Sequence, residues 1–170
     1  MNPAVALKVQ AAFSRKFAAS YRNAPDRPTV LIVAADPEIQ DALTDLLQGF
    51  LINAIWVNGV EDAKRLLGRE RIAACLCGFW LQDGTYRELI RHMRREKIDV
   101  SVIIVSAPAC PDEYRDYLAA MNIGALDFLC YPYKPFDFER MLESAIGTQS
   151  RATDRQVTGS NIELRERGAA

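Results

Sequence analysis

The sequence predicts a doubly wound α/β domain. Three observations carry that prediction. From Thr29 onward short apolar runs alternate with segments of helical period, five such strand–helix pairs follow one another, and the run Val100 to Val105 has no polar alternation, as a strand covered on both faces requires. At 170 residues the chain accommodates one domain with extensions, a size that buries roughly two thirds of the unfolded surface, so no disulfide or metal staple is needed.

The elements follow in order. Asn2 to Tyr21 carries Val5, Val9, Phe13, Phe17 and Tyr21 at steps of four, one stripe of an amphipathic helix started by Asn2 and Pro3. Lys8, Arg15, Lys16 and Arg22 make this helix basic. Docking on its own domain or on a twin is the expectation, with a membrane surface or an acidic partner as the alternative. Asn23 to Pro28, with two prolines, is the linker, so residues 1–28 form a helical extension to the main domain.

Strand one is Thr29 to Ala34, and the helix after it places Ile39, Leu43, Leu46, Leu47 and Phe50 on one face behind Asp36 as N-cap and Pro37 in the first turn. Strand two is Ala54 to Val57; its helix, Glu61 to Leu67, offers a Glu61–Arg65 pair and stops at Gly68. Strand three is Ile72 to Cys77, followed by a loop containing Gly84 and a helix that turns Tyr86, Leu89, Ile90 and Met93 inward. Strand four ends at Ser106. Helix four opens at Pro111 with Asp112 and Glu113 in its first turn, is expected to bury Tyr114, Leu118 and Met121, and finishes near Gly124. Strand five is Ala125 to Cys130, and the last helix presents Phe138, Met141, Leu142 and Ala145. The main domain is thus 29–147, and residues 148–170 form a polar tail, poor in aromatics and predicted to be mobile.

Composition narrows the chemistry. A net charge of -1 supplies no overall field for nucleic acid, so no nucleic-acid partner is expected. The apolar runs are too short to cross a bilayer and the N-terminus lacks the features of a secretion signal, so the expected location is the cytoplasm. Cys75, Cys77, Cys110 and Cys130 lack CxxC spacing and a histidine cluster, so no metal site is expected. His92, the sole histidine, reads as a solvated imidazole in a basic helical stretch. There is no GxSxG, no GxGxxG after strand one and no GxxxxGK[ST], so neither a hydrolase nor a nucleotide-binding enzyme is indicated and no cofactor is expected.

Taken together, TVLIVAADPEIQDALTDLL, VIIVSA, GALDFL and KPFDFERML resemble the receiver domain of response regulators (CheY-like) over roughly residues 29 to 147. The resemblance implies a flavodoxin-like five-stranded parallel sheet of order 2-1-3-4-5 with its functional site at the carboxyl edge of the strands. It also implies phosphoryl transfer from a histidine kinase to an aspartate after strand three, with a divalent cation held by two acids after strand one. At the positions of the acidic pair this chain has Ala34 and Ala35; Asp36 comes one residue later, where capping the helix is its expected role. Aligning Leu81-Gln82-Asp83-Gly84 with the family's Leu-Pro-Asp-Gly puts Gly78 at the acceptor position. Ser106 and Ala107 match the hydroxyl and small residues after strand four. The family lysine falls on Tyr131 if strand five has ordinary length, or on Lys134 if three residues bulge out; the first register needs less strand and is favoured. One of the two X–Pro bonds there is a candidate cis peptide.

The expectation is therefore a degenerate pseudo-receiver: not an enzyme, binding no metal, and working as a phosphorylation-independent protein-interaction module in bacterial two-component or phosphorelay signalling. Its partner would be a histidine kinase, a regulator or a second copy forming a homodimer. Tyr114, Tyr117, Phe128, Tyr131 and Tyr133 lie on or near the face built by helix four, strand five and the last helix, where aromatics serve as switch, as interface anchors or simply as core. Two alternatives stand: a redox or small-ligand sensor using Cys77, Cys110 or Cys130 around the emptied pocket, and a response regulator phosphorylated unconventionally on Asp36 or Asp83.

Overall fold

The computed structural model describes residues 27–48, 50–107 and 113–147. The N-terminal amphipathic helix, most of the linker, Cys110, the start of helix four and the polar tail lie outside the described residues. In chain order the elements are β1 (Thr29–Val33), α1 (Pro37–Leu47), β2 (Asn53–Val57), α2 (Val60–Leu67), β3 (Ala74–Gly78), β4 (Trp80–Leu81), β5 (Gly84–Thr85), α3 (Tyr86–Arg95), β6 (Val102–Val105), α4 (Glu113–Ile123), β7 (Asp127–Leu129) and α5 (135–147).

Five strands form one parallel sheet of order β2-β1-β3-β6-β7, which is the expected 2-1-3-4-5 arrangement. The sequence explains which strands are central. Residues 30–33, all of β3 and all of β6 are buried on both faces, matching their unbroken apolar composition, whereas edge strand β2 has exposed and half-buried positions. Alternate residues face opposite layers. Leu31, Val33, Cys75, Cys77, Ile104 and Phe128 pack with residues of α2, α3 and α4, and Val30, Ile32, Leu76, Ile103, Val105 and Leu129 pack with Ile39, Leu43, Phe138 and Leu142 of α1 and α5.

Register then sets the working edge. Val33 pairs with Val57 and Cys77, Gly78 with Val105, and Val105 with Leu129, so the carboxyl ends of all five strands lie along one line. Among the described residues no helix is long and apolar enough to cross a membrane.

Several boundaries and contacts differ from expectation. β3 runs to Gly78 and begins at Ala74, β6 begins at Val102, and β7 is limited to three residues. The loop after β3 is a miniature antiparallel hairpin, β4 with β5, turning at Gln82 and Asp83. Helix α4 is rotated relative to the expected stripe: Tyr114 is 73% exposed and Leu118 42% exposed, Met121 is half-buried, and Ala120 is fully buried. Apolar residues occur on both sides of this helix, so two phases compete. The one adopted lets the small Ala120 approach the sheet and sets the Tyr117 ring edge-on to Phe128, 6.3 Å between centroids. On α2, Glu61 pairs with Lys64 and Arg65 with Asp62, not Glu61 with Arg65; with acids at 61 and 62 and bases at 64 and 65, both pairs close at i,i+3 spacing. His92 is half-buried with an Arg95 guanidinium nitrogen 3.1 Å from its ring.

Candidate functional site

The carboxyl edge of the sheet divides into two halves. At the ends of β1 and β3, Ala34 is buried, Ala35 is half-buried and Gly78 is buried. These residues are neighbours: a Cβ placed on Gly78 would lie 3.5 Å from the Val33 carbonyl oxygen and 3.8 Å from the Cα of Ala34, ordinary contact distances. None of the three carries a charge, a lone pair on its side chain or a nucleophile. The Ala34 carbonyl is taken by Gln40, whose Nε2 donates to it at 2.6 Å and to Asn58 Oδ1 at 3.1 Å.

The two aspartates that follow β1 and β3 in the chain both cap helix starts. Asp36 stands in extended conformation before α1 and its Oδ1 accepts from the Glu38 amide at 2.9 Å, the N-cap expected from the Asp–Pro pair. Asp83 does the same for a helix that is distant in sequence. From the hairpin turn its carboxylate accepts the amides of Val60 and Glu61, the first two of α2, the latter at 3.0 Å. These bonds from Glu61 and Val60 hold the Asp83 carboxyl below the usual carboxylate range. Helix α2 has no side-chain cap of its own because Gly59 occupies the N-cap position, and a Cβ there would collide with the Asp83 carboxylate. Sequence reasoning left Asp83 in a loop, because the two turn residues, Gln82 and Asp83, are not the Asn-Gly or Asp-Gly pair that marks a two-residue hairpin.

At the ends of β6 and β7 polar groups persist and are bonded to one another. Ser106, buried, accepts the Tyr131 amide on its hydroxyl at 2.8 Å, and its carbonyl accepts the Tyr133 hydroxyl at 2.6 Å. The Tyr131 and Tyr133 rings meet edge-on at 5.4 Å, and Tyr131–Pro132 is a cis peptide. Burial, with the Asp36 carboxylate nearby, pushes the Tyr133 phenol up, so it remains a protonated donor. Tyr131 follows β7 after one residue. Lys134 is exposed, and its carbonyl accepts the Phe138 amide at 3.0 Å as α5 begins.

The remaining candidates are dispersed. Phe128 is buried on the α4 side of the sheet and Tyr117 is partly exposed above it, so Phe128 is packing and not a surface anchor. Tyr114 is the most exposed aromatic of the group. Cys75 and Cys77 are fully buried; desolvation pushes the Cys75 thiol up to about 12 and the Cys77 thiol well above its ordinary value, with Cys75 adding to the latter. Burial thus disfavours the thiolate form of both. Cys130 is exposed beyond β7.

A divalent cation of the magnesium type takes oxygen ligands and one or two protein carboxylates. Alanine methyls and a glycine do not fit that donor set, and among the described residues no three His, Cys, Asp or Glu side chains converge as metal ligands.

No protein-family profile matches the chain. In sequence it is 29% identical over 140 residues to the transcriptional regulatory protein MalR of Bacillus subtilis, covering 81% of this chain and 56% of that protein. It is also 28% identical over 118 residues to the probable C4-dicarboxylate response regulator DctR of the same organism, covering 68% and 49%. The chain thus spans about half the length of both relatives. In structure it is similar to the signal receiver domain of an HD domain-containing protein from Pseudomonas fluorescens, with a TM-score of 0.69 and 19% identity over 78% of this chain and 96% of that one. The strand order, the alignment of strand ends and these likenesses agree: the described residues have the fold of a response-regulator receiver domain.

Proposed function

We propose that this receiver-type domain acts in bacterial two-component signalling as a phosphorylation-independent interaction module, without catalysing a reaction of its own. The observation that carries the reading is the composition of the β1–β3 half of the edge. Phosphoryl transfer depends on positioning and on neutralising charge at the transferred group, and here Ala34, Ala35 and Gly78 stand where the resemblance calls for two cation ligands and the acceptor. Asp36 and Asp83, the carboxylates that might substitute, accept backbone amides at helix starts. At Asp83 both carboxylate oxygens accept helix amides, and at Asp36 one does.

The partner on this reading is a protein: a kinase, a regulator or a second copy. Exposed Tyr114, Tyr117 and Leu118 on α4, with Tyr131 beyond β7, supply aromatic and apolar area on that side of the molecule. The transcriptional role in the name of MalR belongs to a protein nearly twice as long as the matched region, and it is not carried over to this chain.

The test is incubation of the full chain with a small-molecule phosphodonor and Mg²⁺, followed by intact mass measurement. The expected result is an unchanged mass. A stoichiometric phosphoryl addition, lost on substituting Asp36 or Asp83 by alanine, would replace this reading with that of an unconventional acceptor.

A further inference from the structure

Helix α3 carries Arg87, Arg91, Arg94 and Arg95 at i, i+4, i+7 and i+8, and all four are exposed. That spacing makes a single stripe about 12 Å long on the face turned away from buried Leu89, Ile90 and Met93. Arg69 and Arg71, also exposed, lie in the connection from α2 to β3, and α2 packs beside α3, so the loop and the carboxyl end of α3 share the amino-terminal edge of the sheet. Among the described residues Arg69, Arg71, Arg91 and Arg94 form no ion pair.

Helix stability accounts for only part of this arrangement, because Arg94 and Arg95 stand in the last turn where the helix dipole favours cations and Arg87 and Arg91 do not. Like charges one turn apart, as at 87 and 91 or 91 and 95, oppose helix formation, and Arg87 stands in the first turn where the helix dipole disfavours a cation. Of the two glutamates of the segment, Glu88 accepts the Thr85 hydroxyl at 3.4 Å against the hairpin, and Glu96 neutralises Arg95 at the helix end, which leaves Arg91 and Arg94 as the stripe residues with no carboxylate beside them among the described residues. Arg87 is braced, its Nε donating to the Tyr86 hydroxyl at 3.1 Å with its guanidinium 5.5 Å from the ring centroid, and the Arg94 guanidinium lies against Gly124. Planar guanidinium groups along one helix face suit bidentate capture of carboxylates or phosphates.

We propose that the α3 arginine stripe, with Arg69 and Arg71 at its end, is a docking surface for an acidic, carboxylate-bearing protein segment. A protein partner is favoured over nucleic acid by charge. The chain is net negative, and α2, which packs beside α3, carries exposed Glu61 and Asp62 and is followed by exposed Glu70, so a duplex broad enough to cover both helices would also meet these carboxylates. A narrow acidic segment would not. This surface lies on a different helix from the aromatic α4 side, and the proposal stands whether or not the domain is phosphorylated.

The test is fluorescence anisotropy of a labelled poly-glutamate peptide titrated with the full chain, beside a labelled random-sequence DNA duplex. Saturable peptide binding is expected, weakened about tenfold by Arg91→Glu with Arg94→Glu and unchanged by Arg140→Glu on α5 as a charge control. The single Arg91→Gln variant, checked for an unchanged unfolding midpoint, gives a smaller loss in the same direction if the double variant fails to fold. Absence of saturable peptide binding, equal weakening by Arg140→Glu, or tighter binding of the duplex than of the peptide would overturn the proposal.

Discussion

The two halves of the sheet's carboxyl edge have parted company. At β1 and β3 the side chains are two methyls and a hydrogen, and the neighbouring carboxylates have become helix caps. At β6 and β7 a serine and two tyrosines hold one another through two hydrogen bonds. Both halves satisfy their polar groups, by opposite means: one has almost none left to satisfy, the other ties its own together. A buried polar group without a partner costs more than it gains, so each half of this edge is stable because its polar groups are absent or paired.

The difference can be broken most forcefully by charging the neutral half. In the double variant Ala34→Asp with Gly78→Asp, two carboxylates meet at a buried site with no cation beside them. Urea unfolding is expected to show a loss of about 3 kcal/mol without divalent ions, partly recovered in Mg²⁺, while the parent chain ignores Mg²⁺. Equal Mg²⁺ stabilisation of parent and variant would contradict the contrast.

The polar half can be cut one bond at a time. Ser106→Ala leaves the Tyr131 amide without its acceptor and is expected to cost about 1–2 kcal/mol. Tyr133→Phe removes one donor to the Ser106 carbonyl and is expected to cost about 1 kcal/mol. Its pH dependence has a definite sign: the folded phenol titrates above the unfolded one, so the contribution is complete below about pH 10 and is lost as pH rises further. The variant's alkaline unfolding curve should lack that component.

The caps give the smallest effects. Asp36→Ala is expected to cost about 0.5–1 kcal/mol through one freed amide on α1. Asp83→Asn keeps an acceptor at α2 but loses the charge, so the variant is slightly less stable than the parent at neutral pH. Because the folded Asp83 carboxyl titrates below its unfolded value, its charge contributes above about pH 4 and the contribution fades as pH falls through the folded pKa. Parent and Asp83→Asn stabilities, followed from neutral to acid pH, should therefore converge.

Most of the fold was legible because its signals are local. The apolar runs of β1 and β6, the Asp36–Pro37 start of α1, the inward residues of α3 and the stop at Gly124 with its positive φ of 97° all depend on a few adjacent residues. The phase of α4 was not legible, since Tyr114, Leu118 and Met121 are as apolar as the face that Ala120 buries, and only packing against Phe128 chooses between them. In the site, the neutrality of Ala34, Ala35 and Gly78 was readable from residue identity. The bonds from Asp83 to α2 and from Tyr133 to Ser106 were not readable. Each joins residues more than twenty positions apart, and periodicity has nothing to say about them.

Calorimetric titration of the full chain with Mg²⁺, with Ala34→Asp/Gly78→Asp titrated alongside, tests the central claim most directly. The neutral β1–β3 half predicts no saturable heat from the parent chain and a one-site isotherm from the variant. A one-site isotherm from the parent, with the ion located beside Gly78 in a Mg²⁺-soaked crystal, would contradict it.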